Sequence, residues 1–347
     1  MRLPSIPTQL QGRGEVSIFI NKKVWNEFSE DELKDYEDAV FNHYRSTGFP
    51  FFDLTEEQRA KTFNQLVQFD TAKLELGGDE LNQTMLALNL CNHHFPNIWE
   101  AKAQNFRSPL ETFHDDEKFR IAIRKRIKHG DNMSDAGIRK VLSYSHGSQR
   151  VSNFKPTVAK YMYDRFAPNG DVLDFSCGYG GRLFGFLASS AKTYVGCEPN
   201  TATYTYLKEI ALEYNSRKSV TINHLPIEDF ETSQTFDLVF SSPPYFNTEK
   251  YCLEPTQSYL RYPTRQLWRE GFLKPLVEKS LRYLRPQGTF AINIANVSSY
   301  PNLEQDTVEL CEEAGFIHCR TLKMRLSKLM GAGFKHEPIF CFTKKKD

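Results

Sequence analysis

The feature that most constrains the fold of this chain is a short apolar run that ends near two consecutive prolines. Residues 236–240 (FDLVF) have the length and the nearly continuous apolar character of a buried parallel strand. Pro243 and Pro244 follow, and neither has the N–H group with which a strand pairs to its neighbour. We therefore expect a stiff loop in which Pro243 holds Ser242 extended. Ligand sites in open α/β sheets lie at the carboxyl ends of strands, so this loop, which includes Tyr245, is predicted to belong to a site.

A glycine-rich turn between a strand and a helix is a second constraint. Residues 171–175 (DVLDF) predict a strand, residues 183–191 (LFGFLASSA) predict a helix, and Gly178 and Gly180 lie between them. Glycines at such a turn let backbone N–H groups approach a ligand. A second predicted strand, residues 192–197, is followed by Glu198, about 20 residues after Gly178. An acid there can accept both hydroxyls of a ribose, and a helix cap or a surface acid is the plainer alternative.

The remaining segments complete an α/β pattern. Residues 158–166 predict a helix that Ser152 or Asn153 would cap, and Pro156 suits its first turn. Before residue 150, helical patterns dominate, and Ser29 followed by three acids predicts one capped start. Further along the chain we expect strands at 220–224 and 289–294, a turn at 285–288, a helix at 303–314, and an antiparallel pair at 316–324 and 338–343.

In this order, the segments resemble the S-adenosylmethionine-dependent DNA amino-methyltransferases. The residues that carry the resemblance are Asn153-Phe154-Lys155-Pro156-Thr157, the turn from Asp174 to Gly180, Glu198, and Ser242-Pro243-Pro244-Tyr245. Enzymes of this family methylate N4 of cytosine or N6 of adenine, and the last four residues match their Ser/Asn/Asp-Pro-Pro-Tyr motif. The resemblance implies an α/β fold with a Rossmann-like class I methyltransferase sheet.

The resemblance also implies a division of the chain. Residues 150–347 would form the S-adenosylmethionine-dependent methyltransferase domain. Residues 1–149, in which no family is recognised, would form a mainly helical accessory or target-recognition region.

By the same resemblance, one set of residues is expected to bind S-adenosylmethionine. In the family, an acid after the third strand bonds the adenine amine, and Glu228 and Asp229 qualify equally. The expected cofactor-binding residues are Phe154, Thr157, Asp174, Ser176, Gly178, Gly180, Glu198, and the alternatives Glu228 and Asp229.

Ser242, Pro243, Pro244 and Tyr245 are expected to hold the target base. The resemblance implies that the Ser242 side chain and the Pro243 carbonyl accept the two hydrogens of the amine, which aims its nitrogen at the methyl group. Tyr245 would stack on a base flipped out of the DNA duplex. Serine at the first position favours N4 of cytosine, and N6 of adenine stays open. No cysteine stands in the Pro-Cys motif of the cytosine C5 enzymes.

Two segments are candidates for DNA contact. Residues 118–150 are rich in Lys and Arg, which suits a phosphate backbone, although a solvated helix face has the same pattern. Residues 246–271 are rich in Tyr and Arg, which is typical of a lid or of a surface for a splayed strand; an inserted helix with core aromatics is the alternative. The expected DNA-binding residues are Arg124, Lys125, Arg126, Lys128, Tyr251, Arg261 and Arg265.

Composition narrows the function classes. The 347 residues carry a formal net charge of +1, so any basic surface must be local. No apolar stretch approaches the roughly 20 residues of a membrane span, and the N-terminus lacks a signal-peptide pattern. The seven cysteines form no CxxC pair, which predicts reduced thiols, no metal site and a cytoplasmic location.

Three other functions stay open from the sequence. They are an RNA or tRNA base amino-methyltransferase, a protein-glutamine methyltransferase, whose motif usually begins with Asn, and a non-catalytic DNA-binding relic of the fold. The intact Pro-Pro motif, Gly178, Gly180 and Glu198 argue against the relic. The favoured prediction is a site-specific DNA methyltransferase, for which restriction–modification is one setting.

Overall fold

Two compact units make up the part of the chain that the computed structural model describes, residues 18–145, 147–214, 217–328, 331 and 333–345. The first unit comprises the described parts of Met1–Phe52 and Ile98–Val151, and the second those of Asp53–Asn97 and Ser152–Asp347. The sequence predicts a single boundary at residue 149, whereas residues 53–97 group with the second unit. The target-recognition role of the N-terminal region stays a prediction.

The α-helices, in chain order, are α1 (Lys22–Trp25), α2 (Glu30–Thr47), α3 (Glu56–Val67), α4 (Leu88–His94), α5 (Pro109–His114), α6 (Asp116–His129), α7 (Asp135–Leu142), α8 (Pro156–Phe166), α9 (Gly181–Leu187), α10 (Thr201–Tyr214), α11 (Ser258–Arg261), α12 (Arg265–Trp268), α13 (Lys274–Tyr283) and α14 (Leu303–Ala314). Short 3-10 helices lie at Thr71–Leu74, Pro96–Trp99 and Ile227–Asp229, and a π-helical turn at Arg269–Leu273 leads into α13. None of the helices described here is long and apolar enough to cross a membrane.

The strands, in chain order, are β1 (Glu80–Leu81), β2 (Lys102–Ala103), β3 (Asp171–Asp174), β4 (Thr193–Cys197), β5 (Ser219–Asn223), β6 (Phe236–Ser241), β7 (Glu249–Lys250), β8 (Leu284–Asn293), β9 (Phe316–Lys328) and β10 (Phe334–Lys344).

Helices α2, α5, α6 and α7 pack together in the first unit. Helix α2 begins as predicted, because Ser29 Oγ accepts a bond from the Glu32 N–H at 3.3 Å and the Glu32 carboxylate accepts one from the Ser29 N–H at 2.9 Å. Near the end of α2, Arg45 lies over the Phe119 ring and bonds Asp116 at 2.9 Å. The bundle is therefore held by capped helices and an aromatic interior.

One mixed sheet organises the second unit. Over the described residues, its strand order is β1-β9-β10-β8-β6-β3-β4-β5. Strands β3, β4, β5, β6 and β8 run parallel, whereas β10 is antiparallel to both β8 and β9. The α/β Rossmann-like fold class predicted from the sequence is confirmed, and the final antiparallel pair is longer than predicted.

Parallel pairing brings several strand ends to one edge of the sheet. The register pairs Asp174 of β3 with Gly196 of β4, and Ser241 of β6 with Ile292 of β8. The residues that follow β3, β4 and β6 therefore leave the sheet at nearly the same level, where Asn293 ends β8. This edge is the place where the predicted site would form.

Two local predictions are wrong. Lys155, and not Ser152 or Asn153, occupies the N-cap position of α8, because the Asn153 side chain instead donates to the backbone oxygen of Tyr179 at 2.7 Å. The turn predicted at residues 285–288 lies inside β8. A register shift opposite β6 absorbs these residues as a bulge, in which Gln287 has a φ of 67°.

The segment 246–271 combines the two structures proposed for it. Trp268, in α12, is fully buried, and its ring packs at 5.0 Å from the Phe272 ring. Tyr251 and Gln257 line a cavity instead. The segment is therefore an insertion with one side in the core and one side on the cavity, and its predicted role as a lid stays a prediction.

A buried carboxylate, that of Asp174, makes hydrogen bonds to several segments at the edge of the sheet. Asp174, at the end of β3, has no exposed surface. It pairs with Arg182 of α9 at 2.9 Å and accepts hydroxyl bonds from Tyr194 of β4 and Ser241 of β6, both at 2.6 Å. The Ser176 N–H donates a fourth bond at 3.2 Å. One side chain thus joins three strands and a helix.

Replacing Arg182 by Leu should destabilise the fold strongly, because it leaves Asp174 as a buried charge without a cation. We expect a loss of about 3–5 kcal/mol in the free energy of unfolding, measured by urea denaturation. The matched control is R282L, since Arg282 pairs with Glu231 on an exposed surface and should cost about 1 kcal/mol or less. Equal losses for the two variants would contradict the role of the buried pair.

Candidate functional site

A single cavity in the second unit collects residues from the carboxyl edge of the sheet. Its wall includes Ser176, Cys177 and Gly178 after β3, Glu198 and Asn200 after β4, the Ser242-Pro243-Pro244-Tyr245 loop after β6, and Asn293 at the end of β8. The inserted segment and the β9–β10 pair add residues such as Gln257 and Glu337. Groups that are distant in sequence therefore face one volume.

The glycine-rich turn and Glu198 form one part of this wall. Gly178 and Gly180 have φ values of 60° and 76°, a backbone conformation that other residues rarely adopt. The Gly178 N–H donates to Glu198 Oε2 and the Asn200 N–H donates to Glu198 Oε1, each at 2.9 Å. Burial raises the pKa of Glu198 to about 7, and the two N–H donors oppose that rise. Its carboxylate oxygens retain lone pairs for the hydroxyls of a ligand.

The Pro-Pro loop presents Tyr245 in a fixed orientation. The Tyr245 hydroxyl donates to Glu337 Oε1 at 2.9 Å and lies 3.2 Å from the backbone oxygen of Asn293. Ser242 Oγ is 3.5 Å from the same hydroxyl, at the limit of a hydrogen bond. Burial raises the pKa of Tyr245 well above its ordinary value, so the hydroxyl stays protonated and keeps donating. The ring is thus held by its tip while it lines the cavity.

Two glutamates that the sequence analysis did not predict, Glu249 and Glu337, add carboxyl groups to the cavity. Burial, and to a smaller extent the nearby Glu337 carboxyl, raises the pKa of Glu249 to about 7. Burial also raises the pKa of Glu337. The Tyr251 hydroxyl donates to Glu249 Oε2, and both glutamates are half-buried and line the cavity.

One buried polar atom in the wall has no partner among the described residues. Gln257 is 4% exposed, and its Nε2 atom makes no hydrogen bond there. A buried amide donor costs free energy when it stays unpaired. The cavity therefore fits a ligand that offers a hydrogen-bond acceptor near Gln257.

The structure brings together nine of the residues predicted for the site. Those that line the cavity are Phe154, Ser176, Gly178, Glu198, Ser242, Pro243, Pro244, Tyr245 and Tyr251. Their predicted contacts with a cofactor, a base or DNA stay predictions.

Three predicted cofactor residues lie behind the wall. Asp174 is engaged in the buried cluster described above, and Thr157 is fully buried with its hydroxyl 3.2 Å from that of Thr84. Gly180 is the N-cap residue of α9, and a Cβ atom there would lie 2.4 Å from the Phe95 ring. None of these three residues lines the cavity.

The two acids that the sequence left as alternatives both contact Arg261. Arg261 Nη1 lies 3.2 Å from Glu228 Oε1 and 2.8 Å from Asp229 Oδ2. Burial raises the pKa of Glu228 to about 7, and its Oε2 atom has no hydrogen-bond partner in the described chain. Pro226 and Ile227 line the cavity, whereas the two acids do not. Arg261 is therefore engaged within the protein.

Four of the other predicted DNA-binding side chains also have partners. Arg265 Nε donates to the Ser299 backbone oxygen at 2.5 Å. In the first unit, Arg126 bonds Asn132, and Lys125 Nζ lies 3.2 Å from the Tyr144 backbone oxygen. Arg124 is 3.8 Å from Glu37, and Lys128 is exposed. Among the described residues, no cluster of acids, histidines or cysteines suits a metal ion.

The wall residues that sequence reasoning missed include residues from three segments. Glu249 and Gln257 belong to the insertion, and Glu337 belongs to the strand that returns beside β8. Glu337 stands directly before Pro338 at the predicted closing strand, which was its only local signal. Asn293 could have been found as a polar residue at the end of an apolar strand.

Comparison with known proteins yields similar folds but no family. No family model and no curated protein matches the chain. Among solved structures, a methyltransferase from Pyrococcus furiosus is 17% identical, with a TM-score of 0.40 over 55% of this chain and 82% of that one. The glycopeptide N-methyltransferase MtfA complexed with S-adenosylmethionine is 14% identical, with a TM-score of 0.40 over 59% and 91%. The magnesium protoporphyrin IX methyltransferase of Synechocystis with bound S-adenosylmethionine is 13% identical, with a TM-score of 0.38 over 55% and 77%.

The identification of the fold rests on the strand order of this chain itself. That order, with parallel β3, β4, β5, β6 and β8 and antiparallel β10, is seen directly in the structure.

The acids in the cavity should make stability depend on pH. Between the ordinary glutamate pKa of 4.5 and about 7, folded Glu249 keeps a proton that the unfolded chain has lost. The free energy of unfolding should therefore fall as pH rises through this window. The decline should be shallower in E249Q than in the wild type, measured by urea denaturation at several pH values. E278Q, an exposed site on α13, is the control and should keep the wild-type slope. An unaltered slope in E249Q would exclude a raised pKa at this residue.

Proposed function

We propose that this protein is an S-adenosylmethionine-dependent methyltransferase that acts on the exocyclic amino nitrogen of a DNA base, N4 of cytosine or N6 of adenine. The observation that carries the proposal is that Gly178 and Glu198 line the same cavity as Ser242, Pro243, Pro244 and Tyr245. A donor site and an acceptor site for one transfer reaction must share a volume in this way.

The residues fit the cofactor at the glycine-rich end. Glu198 would accept the ribose hydroxyls, and the turn around Gly178 leaves room for the backbone to approach the ligand. The unpaired Nε2 of Gln257 supports the presence of a polar ligand in the cavity. When bound, S-adenosylmethionine would supply a methyl group attached to a sulfonium sulfur. Phe154 and Ser176 would complete this end of the wall.

The Pro-Pro loop fits an aromatic amine as the acceptor. Such an amine is a weak nucleophile because its lone pair is delocalised into the ring. Ser242 Oγ and the Pro243 carbonyl would accept its hydrogens and hold the nitrogen in position, and Tyr245 would stack on the base. The bonds of the Tyr245 hydroxyl to Glu337 and Asn293 support this role, because they fix the ring before the base arrives.

We propose DNA as the polymer that carries the base. DNA is favoured by the resemblance of Ser242-Pro243-Pro244-Tyr245 to the amino-methyltransferase motif. Arg124, Lys125, Arg126 and Lys128 are proposed to contact its phosphates. RNA methylation is the second candidate, because the same loop suits a base amine in either polymer.

Labelled S-adenosylmethionine, offered with separate pools of DNA, RNA and protein, tests the proposal directly. We expect label in DNA, and nucleoside mass spectrometry should find N4-methylcytosine or N6-methyladenine. In single-turnover assays Y245A should weaken acceptor binding by about 1–3 kcal/mol through lost stacking. S242A should lower the methylation rate. Label on C5 of cytosine, or full activity in both variants, would overturn the assignment.

Glu198→Ala should weaken S-adenosylmethionine binding by about 1–3 kcal/mol, the usual loss for hydrogen bonds to a buried charged group. Calorimetry on the free chain gives the affinity. Y245A is the matched control, because Tyr245 is proposed to face the base and should leave this affinity nearly unchanged. Equal affinities for E198A and the wild type would remove Glu198 from the cofactor site.

A further inference from the structure

Two glutamates beside the Pro-Pro loop have no part in the function proposed so far. Glu249 of β7 and Glu337 of β10 line the cavity together with Ser242 and Tyr245. They come from different segments, yet the charge of Glu337 acts on Glu249. Two acids in one cavity are costly unless a ligand or a proton neutralises them.

Among the groups of the described chain that act on the Glu249 carboxyl, none is a cation. The groups that act on Glu249 are the Tyr251 hydroxyl, the Glu337 carboxyl and the Ser152 backbone N–H, and the charge of Glu249 in turn acts on Tyr245. Lys155 and Lys335 act on Glu337 and lower its pKa only in part. The charge of Glu337 therefore makes ionisation of Glu249 less favourable.

The hydrogen bonds separate the roles of the two acids. Glu337 Oε1 accepts from the Tyr245 hydroxyl, so Glu337 positions the aromatic ring of the motif. Glu249 Oε2 accepts from Tyr251, which lies outside the motif. A carboxylate has about four lone-pair sites, so the Glu249 carboxyl, which lines the cavity, retains capacity for a further proton donor. Of the two acids, only Glu337 accepts a hydrogen bond from the Pro-Pro loop, so Glu249 is the one available to a ligand.

We propose that Glu249 receives the proton that the acceptor amine loses as its nitrogen is methylated, with Glu337 as its electrostatic partner. This inference rests on the proposed function and adds to it a residue for the proton. It also narrows the acceptor to a group that carries N–H hydrogens, because only such a group can donate to a carboxylate.

The transfer then balances in atoms and charge. A nitrogen–carbon bond forms to the methyl group, and the carbon–sulfur bond of the sulfonium donor breaks with its electron pair left on sulfur. The proton lost by the nitrogen passes to the Glu249 carboxylate. Glu249 must be ionised to act, and its pKa of about 7 makes both the ionised and the protonated form accessible near neutral pH.

The first test is the pH dependence of the single-turnover methylation rate on a DNA acceptor. In the wild type, the rate should rise with pH and level off above about 7, as Glu249 ionises. E249Q should lower the plateau by about 100-fold and lose this rise, whereas E249D should keep the rise because it keeps a titratable carboxyl. E337Q removes a like charge and should move the rise to lower pH. E278Q, on the exposed face of α13, should match the wild type. A wild-type profile in E249Q would overturn the proposal.

The second test uses the chain alone and does not depend on turnover. Difference infrared spectroscopy between pH 5 and pH 9, taken as wild type minus E249Q, should show a carboxyl band that titrates near pH 7; against a matching E337Q/E249Q reference, this band should titrate at lower pH in E337Q. Absence of such a band would also overturn the proposal. The proposed function has its own test, and it is overturned if the wild type transfers no label from S-adenosylmethionine to any base. The two failures are therefore distinguishable.

Discussion

The carboxylate of Asp174 is the point on which the geometry of the site depends. It is fully buried, and its charge is tolerated because Arg182, Tyr194, Ser241 and the Ser176 N–H all donate to it. The donors belong to α9, β4, β6 and the turn after β3. A shift of any of these segments would break a bond to a buried charge. The relative positions of the glycine-rich turn, β4 and the start of the Pro-Pro loop are thus fixed by one side chain.

The acids of the cavity differ from Asp174, because fewer hydrogen-bond donors balance their charge. Glu198 has two backbone donors but a pKa raised to about 7, and Glu249 has a tyrosine and a second acid beside it. Buried groups of this kind lower stability, and they persist where a ligand or a reaction uses them. The carboxylate behind the wall thus has enough donors to balance its charge, whereas the acids on the wall do not.

The sequence predicted the parts of the site that depend on local pattern. The strand before Pro243, the turn around Gly178 and the position of Glu198 follow from apolar runs, glycines and spacing, and each lies where it was expected. Asp174 was assigned to the cofactor, but its surroundings come from β4, β6 and α9, which no local pattern reveals. The ion pairs of Arg261 with Glu228 and Asp229 likewise join residues whose distance depends on tertiary packing.

The acidic pair could not be predicted for the same reason. Glu249 lies in an insertion without a strong periodic pattern, and Glu337 reaches the cavity through antiparallel pairing of β10 with β8. In sequence, β8 and β9 lie between the two acids. Only the register of that pairing brings the Glu337 carboxyl to the Tyr245 hydroxyl.

The membership of residues 53–97 in the second unit has a consequence for how the chain is made. Phe63 packs on Phe184, and Glu80 of β1 pairs with Lys323 of β9, a strand near the other end of the chain. During synthesis, β1 leaves the ribosome long before its partner exists. The unit can close only after nearly the entire polypeptide has emerged, so the early segment must stay accessible in the meantime. A fragment that starts at residue 150 would lack β1 and would leave Lys323 and Met324 of β9 without their parallel partners, which lengthens an open strand edge, a known route to aggregation.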